Sequence, residues 1–432
     1  MIKNKYLKVL SVVIAVLCLA SCFAGCGGKS GGADGMKKDG DGRKYQQAFL
    51  EPINQDKYLA GMCALTSETM STSTEPGSTA HWIAKNDKAL GVKSQRVWLH
   101  TPIVINRDAN SNKLTINKYA ADKYHDFFKE LKDNGVERIV AMNHQFLYPY
   151  DYDKLKGNDR QVFIHPLEEA EFYKDWIQMY YDGYKLMAEE FPEVKFWECG
   201  NEFDHKNFAH RNNGDEMTLF DKGFVSADLC YAANKAIKEV DPNNACVYPG
   251  LAGVPGLLEE TYKQITGKKL PTLEEYCLDD PDDYFDIVAW HDYPQDAGYD
   301  HVKERADDMY KIMQAYGDAE KRVFLTEAGY SSPDTAKFED IATTMKGVWE
   351  GVRKELPYIE TIFFFRMTDL YEQFNRADEK ENYFGLFYSP NDPENKGKPK
   401  PVAIEYFKFI NGEDADPAPL YWYYNEQTNN EN

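Results

Sequence analysis

The chain has 432 residues, room for two or three domains of roughly 150 residues or for one large barrel with enlarged loops. Hydrophobic residues make up 43% and charged residues 28%, the mix of a soluble globular protein that needs no disulfide or metal staple to fold. Its 50 Lys and Arg against 71 Asp and Glu leave a net charge of −21, a field that repels phosphate backbones, so nucleic acid is not an expected partner and a neutral substrate is favoured over a polyanion. Aromatics reach 14%. That suits sugar binding, and it suits a Tyr-rich core and surface equally well.

In chain order, Lys3, Lys5 and Lys8 precede an apolar stretch from Val9 to Ala20. The stretch is too short for a membrane-spanning helix, which takes about 20 residues, and right for the core of an export signal. Leu19-Ala20-Ser21-Cys22 resembles the lipobox of bacterial lipoproteins. That resemblance implies cleavage after residue 21, a lipid on Cys22 and an extracytoplasmic location at the cell membrane. Phe23-Ala24-Gly25-Cys26 is a poorer second candidate. Residues 22–45, rich in Gly and polar side chains, read as a flexible tether. Gly28-Lys29-Ser30 looks like the end of a phosphate-binding loop. No strand precedes it, and Phe23 stands where the first Gly belongs.

From residue 57 onward short apolar runs alternate with amphipathic stretches. The runs are 58–65, 94–100, 138–144, 195–202, 245–251, 285–293, 322–329 and 361–367. Between them, Ile341, Met345, Val348 and Val352 share one helical face, as do Tyr124, Phe128 and Leu131. Further helices are expected over 166–191 and 401–410, and a broken one after the fifth run. Eight βα units predict an α/β fold, a (β/α)8 TIM barrel over 46–412, followed by an aromatic and acidic tail at 413–432. Two doubly wound lobes are the runner-up. Long polar loops are expected at 66–80, at 203–223 and after the eighth run.

Barrel enzymes carry their chemistry at the C-terminal strand ends. Alternation puts Arg96, Trp98 and His100 on one face of the second run, with Val97 and Leu99 toward the helices. The third run ends at His144, the fourth at Asn201-Glu202, the sixth at His291-Asp292-Tyr293, the seventh at Glu327 and the eighth at Arg366. Glu202 and Glu327 lie three units apart, which sets them across the barrel mouth. Two facing carboxylates are what glycoside hydrolysis requires, one to protonate the leaving oxygen and one at the anomeric carbon.

Trp197-Glu198-Cys199-Gly200-Asn201-Glu202 resembles the strand-four Asn-Glu signature of clan A glycoside hydrolases. Leu325-Thr326-Glu327-Ala328-Gly329 is similar to the strand-seven nucleophile segment of that clan. His291-x-Tyr293 and Arg96 match its strand-six and strand-two residues. Tyr383-Phe384-Gly385-Leu386 followed by Lys398-Pro399-Lys400-Pro401 is similar to the closing segment of families 5 and 39. The resemblance implies a retaining hydrolase of β-glycosidic bonds in a neutral glycan, with no cofactor and no metal. Glu202 would be the acid/base and Glu327 the nucleophile. Asn201 would bond the sugar 2-hydroxyl, Tyr293 and Arg96 would hold Glu327, and His144 and His291 would line the subsite at the scissile bond. Many members end strand eight in a Trp that stacks on the sugar. This chain has Phe363-Phe364-Phe365-Arg366, so Phe364, Arg366 or another loop would serve. Trp98 and Trp290 are read as sugar platforms, with plain core packing as the alternative. Glu198 has the parity of Glu202 and is read as a buried, paired carboxylate.

The other class of function is a lipid-anchored sugar-binding protein, either a two-lobed solute receptor or a catalytically silent barrel. Paired Glu at strand ends have no purpose in a solute receptor. Five cysteines lie beyond the export segment, odd in number and without CxxC spacing, so buried thiols are expected. His205 and His210 are not at ligand spacing with any Cys. The expected state is a monomer.

Overall fold

The structure is a computed structural model that describes residues 50–432 apart from 65–78, 144, 150–151, 153–161, 207, 212–213, 268–279, 371–378 and 430–432. Eight parallel strands form the central sheet. They are β1 (Ala60–Ala64), β2 (Ser94–Trp98), β3 (Arg138–Met142), β4 (Phe196–Glu198), β5 (Ala245–Val247), β6 (Val288–Asp292), β7 (Val323–Ala328) and β8 (Ile359–Phe364). The first seven fall inside the apolar runs, and β8 overlaps the eighth but begins two residues before it, at Ile359. The sheet order is β5-β4-β3-β2-β1-β8-β7-β6. Parallel bridges from Val247 to Ile287 and from Leu251 to Trp290 join its two edges. The fold is therefore a (β/α)8 barrel, and the two-lobed alternative is overturned, because one sheet curls on itself.

A helix follows every strand: α1 (Thr79–Leu90), α2 (Lys118–Asp133), α3 (Ala170–Glu190), α4 (Leu219–Val240), α5 (Pro255–Gly267), α6 (Gly298–Ala315), α7 (Phe338–Glu355) and α8 (Pro401–Asn411). The expected faces are buried: Tyr124, Phe128 and Leu131 on α2, and Ile341, Met345, Val348 and Val352 on α7. Thr218 caps α4 by accepting from the Asp221 amide. Pro401 opens α8 where a missing N–H costs nothing. The fifth helix, expected to be broken, runs unbroken for 13 residues. The expected loop 203–223 is shorter, because α4 already begins at Leu219. Most of the loop expected at 66–80 lies outside the described residues. Among the described residues no helix is long and apolar enough to cross a membrane.

Helices cover the sheet outside and side chains fill it inside, so β7 and β8 are buried at every position. Inside the barrel Val140, Phe196, Ala289, Phe324 and Phe363 pack as one cluster. Outside, Val97, Leu325, Ile362 and Phe364 meet the helices. Near the N-terminal strand ends the buried Glu360 carboxylate takes Arg138 at 3.0 Å and Arg322 at 2.7 Å. Those contacts serve the barrel's closed end, away from the cleft.

The tail returns to the barrel wall. Leu420 and Tyr423 are buried, the Tyr423 ring meets Trp82 edge-on at 6.3 Å, and the Trp422 indole donates to Asn86 at 3.2 Å. Tyr423→Ala should therefore cost about 3 kcal/mol of stability, measured by urea unfolding. An unchanged midpoint would mean that the tail only rests on the barrel.

Candidate active site

The chemistry gathers around one guanidinium. Arg96 points inward from β2 with no exposed surface. Its Nε and one terminal nitrogen grip Glu198 at 2.6 and 3.0 Å. The same nitrogen donates to Asn201 Oδ1 at 2.9 Å, and the other reaches Glu327 Oε1 at 2.7 Å. The Tyr293 hydroxyl donates to Glu327 Oε2 at 2.5 Å. His291 Nδ1 lies 2.9 Å from Glu202 Oε1 and 3.5 Å from Glu327 Oε2. One oxygen of Glu202, one nitrogen of His291 and one oxygen of Glu327 all lie within 4.8 Å of one another. The Glu202 side chain is 17% exposed and that of Glu327 6%, so Glu202 is the more open to the cleft.

Local backbone departures aim these groups. On β7, Leu325 pairs with Trp290 and Glu327 with His291, which leaves Thr326 as an extra residue. Phe324 faces the barrel interior, so strict alternation would turn Glu327 toward the helices. The bulge at Thr326 resets the phase and brings Glu327 inside. The Cys63 thiol on β1 donates to the Thr326 carbonyl at 3.3 Å. After β4 the chain makes a tight exit, and Glu202 itself sits at φ 50°. Its amide donates to the Gly250 carbonyl at 2.7 Å, while the Gly250 amide donates to Glu198 at 3.0 Å. A Cβ on Gly250 would fall 2.4 Å from His291 Nε2 and 2.3 Å from Thr326 Oγ1, so only glycine fits there. Two tyrosines of α3 hold the strand end from outside: Tyr184 donates to the Glu198 carbonyl at 3.0 Å, and Tyr180 to that of Cys199. The Asp204 carboxylate accepts the amides of Ala252, Gly253 and Val254, tying the loop after β4 to the loop after β5.

The charges are set by their neighbours. Burial alone would raise the Glu327 carboxyl, but the charges of His291 and Arg96 and the bonds from Tyr293 and Arg96 outweigh it and hold the group below the usual 4.5. Burial opposes the charge on His291, yet Glu327 and Glu202 prevail and raise it above 6.5. Burial and then the Glu327 charge push the Tyr293 phenol well above 10, so it remains a donor. The Arg96 guanidinium resists burial through Glu198 and Glu327 and stays charged.

Arg96, Asn201, Glu202, His291, Tyr293 and Glu327 thus come together at the C-terminal strand ends. Trp98 stands half-buried at the end of β2, against the interior cluster and 5.9 Å from the His100 ring. Trp290 does not join them. It has no exposed surface and packs among the helices, because His291 and Ala289 take the inward positions on either side of it. Phe364 likewise faces the helices, against Trp349 and Tyr406. Phe365, one residue later, takes the inward place, edge-on to Tyr293 at 6.2 Å and to Phe384 at 5.6 Å. Arg366 is buried, its backbone is bonded to Phe384 and Leu386, and its charge bears on Asp369, which accepts from Gly385 and Lys400 of the closing segment. His144 and Cys22 lie outside the described residues. The roles of Gly250, Asp204 and Phe365 escape sequence reading. Only strict alternation on β8 carried a signal, and it pointed to Phe365 over Phe364.

Glu202, His291 and Glu327 also form a donor set that a metal ion could use. Both Glu327 oxygens already accept hydrogen bonds, and the Arg96 cation lies 2.7 Å away, so the local charge favours a proton over a metal.

No family model and no curated protein matches the chain. Solved structures do, and among them are glycoside hydrolases of families 39, 5 and 1, which are barrels of this kind. A monomeric beta-xylosidase from Caulobacter crescentus CB15 is 16% identical with a TM-score of 0.55, over 83% of this chain and 68% of that one. A family 39 glycoside hydrolase from Bacteroides cellulosilyticus WH2 is 15% identical with a TM-score of 0.53, over 84% of this chain. The match spans 65% of that enzyme, less than two thirds of its length. A family 1 b-glucosidase from Thermotoga maritima is 13% identical with a TM-score of 0.55, over 84% of this chain and 99% of that one. At such identities the likeness is one of fold.

The lowered Glu327 carboxyl is also a source of stability. That contribution is in place above the unfolded value near 4.5 and is lost as pH falls through the lower folded value. Tyr293→Phe should cost about 1.5–3 kcal/mol at neutral pH, with the deficit shrinking as pH drops below 4.5. Urea unfolding across pH measures this. A deficit independent of pH would mean that the phenol does not serve the charged carboxylate.

Proposed function

We propose that the chain is a retaining glycoside hydrolase that cleaves β-glycosidic bonds of a neutral oligo- or polysaccharide outside the cell. The carrying observation is the short gap between Glu202 and Glu327, whose nearer oxygens lie within 4.8 Å. Retaining enzymes hold their two carboxyl groups about 5–5.5 Å apart, and inverting ones about 6.5–9.5 Å, to admit a water. The fold likeness to a beta-xylosidase and a b-glucosidase supports a β-glycoside as substrate.

In this reading Glu327, kept ionised by Arg96, Tyr293 and His291, attacks the anomeric carbon. Glu202 gives its proton to the departing oxygen. Once the glycosyl-enzyme forms, the negative charge of Glu327 is gone, and Glu202 takes a proton from the incoming water. Asn201 has its carbonyl oxygen engaged by Arg96, which leaves its NH2 to donate to the sugar 2-hydroxyl. Trp98 and Phe365 border the sugar, and the net charge of −21 keeps polyanions away.

Two variants separate the roles. Glu202→Ala should slow cleavage of unactivated glycans by about 10²–10⁴-fold, yet keep the first step with an activated aryl glycoside, and added azide should restore turnover as a β-glycosyl azide. Glu327→Ala should lose turnover on every substrate, with azide yielding the α-azide. Proton NMR of the wild-type reaction should show the β-anomer first. An α-anomer first, or full activity of Glu327→Ala, would overturn the mechanism.

Attachment is the second part of the proposal, with residues 1–21 as export signal and Cys22 as the lipidated residue. Cys22→Ser should release the protein from membranes in detergent partitioning. Release by Cys26→Ser in its place would move the anchor to Cys26.

A further inference from the structure

Three buried cysteines converge where β4, β5 and α4 meet. Cys199 follows β4, Cys230 lies in the middle of α4 and Cys246 is on β5, and none has exposed surface. The sulfurs of Cys199 and Cys230 stand 3.3 Å apart. The Cys199 thiol also lies 3.3 Å from the Val247 carbonyl, and that of Cys246 lies 3.9 Å from the Cys230 carbonyl. The buried face of α4 is built from small side chains such as Ala227, Ala233 and Cys230, and its Cα atoms come within 8 Å of those of β5. Side chains this small let α4 lie close on the sheet, and the Cys230 sulfur reaches that of Cys199, where a bulkier side chain would stand between them. A disulfide holds its sulfurs about 2.05 Å apart, so the remaining approach is about 1.3 Å, within the reach of χ rotations.

We propose that Cys199 and Cys230 form a disulfide when the chain folds in an oxidising setting, fastening the end of β4 to α4. The proposed catalysis uses neither thiol. Cys199 is followed by Gly200, Asn201 and Glu202, so the bond would anchor the turn that carries Glu202. In the reduced fold, burial pushes both thiols above their ordinary values and removes the thiolate that exchange requires. The bond therefore forms before the helix closes on the sheet. One thiolate attacks a disulfide reagent such as oxidised glutathione or an oxidised thiol–disulfide oxidoreductase, giving a mixed disulfide and one released thiol. The second cysteine then displaces the remaining reagent sulfur. Two electrons pass to the reagent, which leaves as two thiols carrying the two protons.

The test uses the full chain, refolded in a mixture of reduced and oxidised glutathione. Free thiols are blocked with iodoacetamide under denaturing conditions, and the digest is mapped by mass spectrometry. The expected product is a peptide pair joined through Cys199 and Cys230, lighter than the two reduced peptides by two hydrogen atoms and separated by dithiothreitol. Both cysteines recovered alkylated would overturn the proposal, and so would a bond from either one to Cys246. A second readout is thermal unfolding with and without dithiothreitol. The reductant should lower the wild-type midpoint by roughly 5 °C and leave that of Cys230→Ala unchanged. Equal shifts in the two proteins would place the stabilising bond elsewhere. Activity enters neither readout, so failure of the glycosidase reading would leave this result standing.

Discussion

Arg96 is the group on which the site depends. A guanidinium with no exposed surface is tolerable only when its charge is compensated, and here two carboxylates and an amide oxygen surround it. One cation between Glu198 and Glu327 leaves an excess negative charge. His291, raised by Glu327 and Glu202 against the pull of burial, is placed to answer it. The arrangement is thus a balanced set of charges linking β2, β4, β6 and β7. Removing Arg96 would leave the fully buried Glu198 without its cation, a far larger penalty than a broken surface pair.

That balance explains a division of labour among three glutamates. Glu198 takes two of the guanidinium's nitrogens and the Gly250 amide, and is fully buried, so it serves as a mount. Glu327 takes a third nitrogen and the Tyr293 hydroxyl, yet keeps an edge toward the cleft. Glu202 has only His291 among these partners and is the most exposed of the three. Rigidity falls and access rises from the first to the third. In the proposed mechanism the proton carrier needs that freedom, and the attacking group needs its fixed aim.

Most of the barrel was legible in the sequence because a parallel strand covered on both faces reads as an unbroken apolar run. The inward position of Arg96 and Trp98 followed from alternation on a regular strand. Alternation applied to β6 would also have sent Trp290 outward once His291 was placed inward, and the pull of an aromatic near a cleft obscured that. Glu327 presents the opposite case, since its inward aim depends on an extra residue at Thr326 that composition does not reveal. Phe365, by contrast, follows plain alternation, since counting in phase with Phe363 puts it inward and Phe364 toward the helices. Contacts made across the chain, such as Asp204 on the amides of 252–254 or Tyr184 on the Glu198 carbonyl, leave no local pattern at all.

The bulge at Thr326 has a consequence for how β7 can vary. The strand below it pairs in one register and the strand above it in another, so the two halves are mechanically out of step. Substitutions that repack Phe324 or Leu325 act on the lower half, and the irregular residue absorbs small shifts before they reach Glu327. Loss of that single residue would leave one register along β7 with Glu327 still opposite His291, whereas drawing Thr326 into the regular ladder would face the carboxylate toward α7. Thr326 is therefore the one place in β7 where the strand can shorten by a residue without turning Glu327. Set against a barrel whose seventh strand is regular, this chain carries one residue more, and the surplus falls at Thr326.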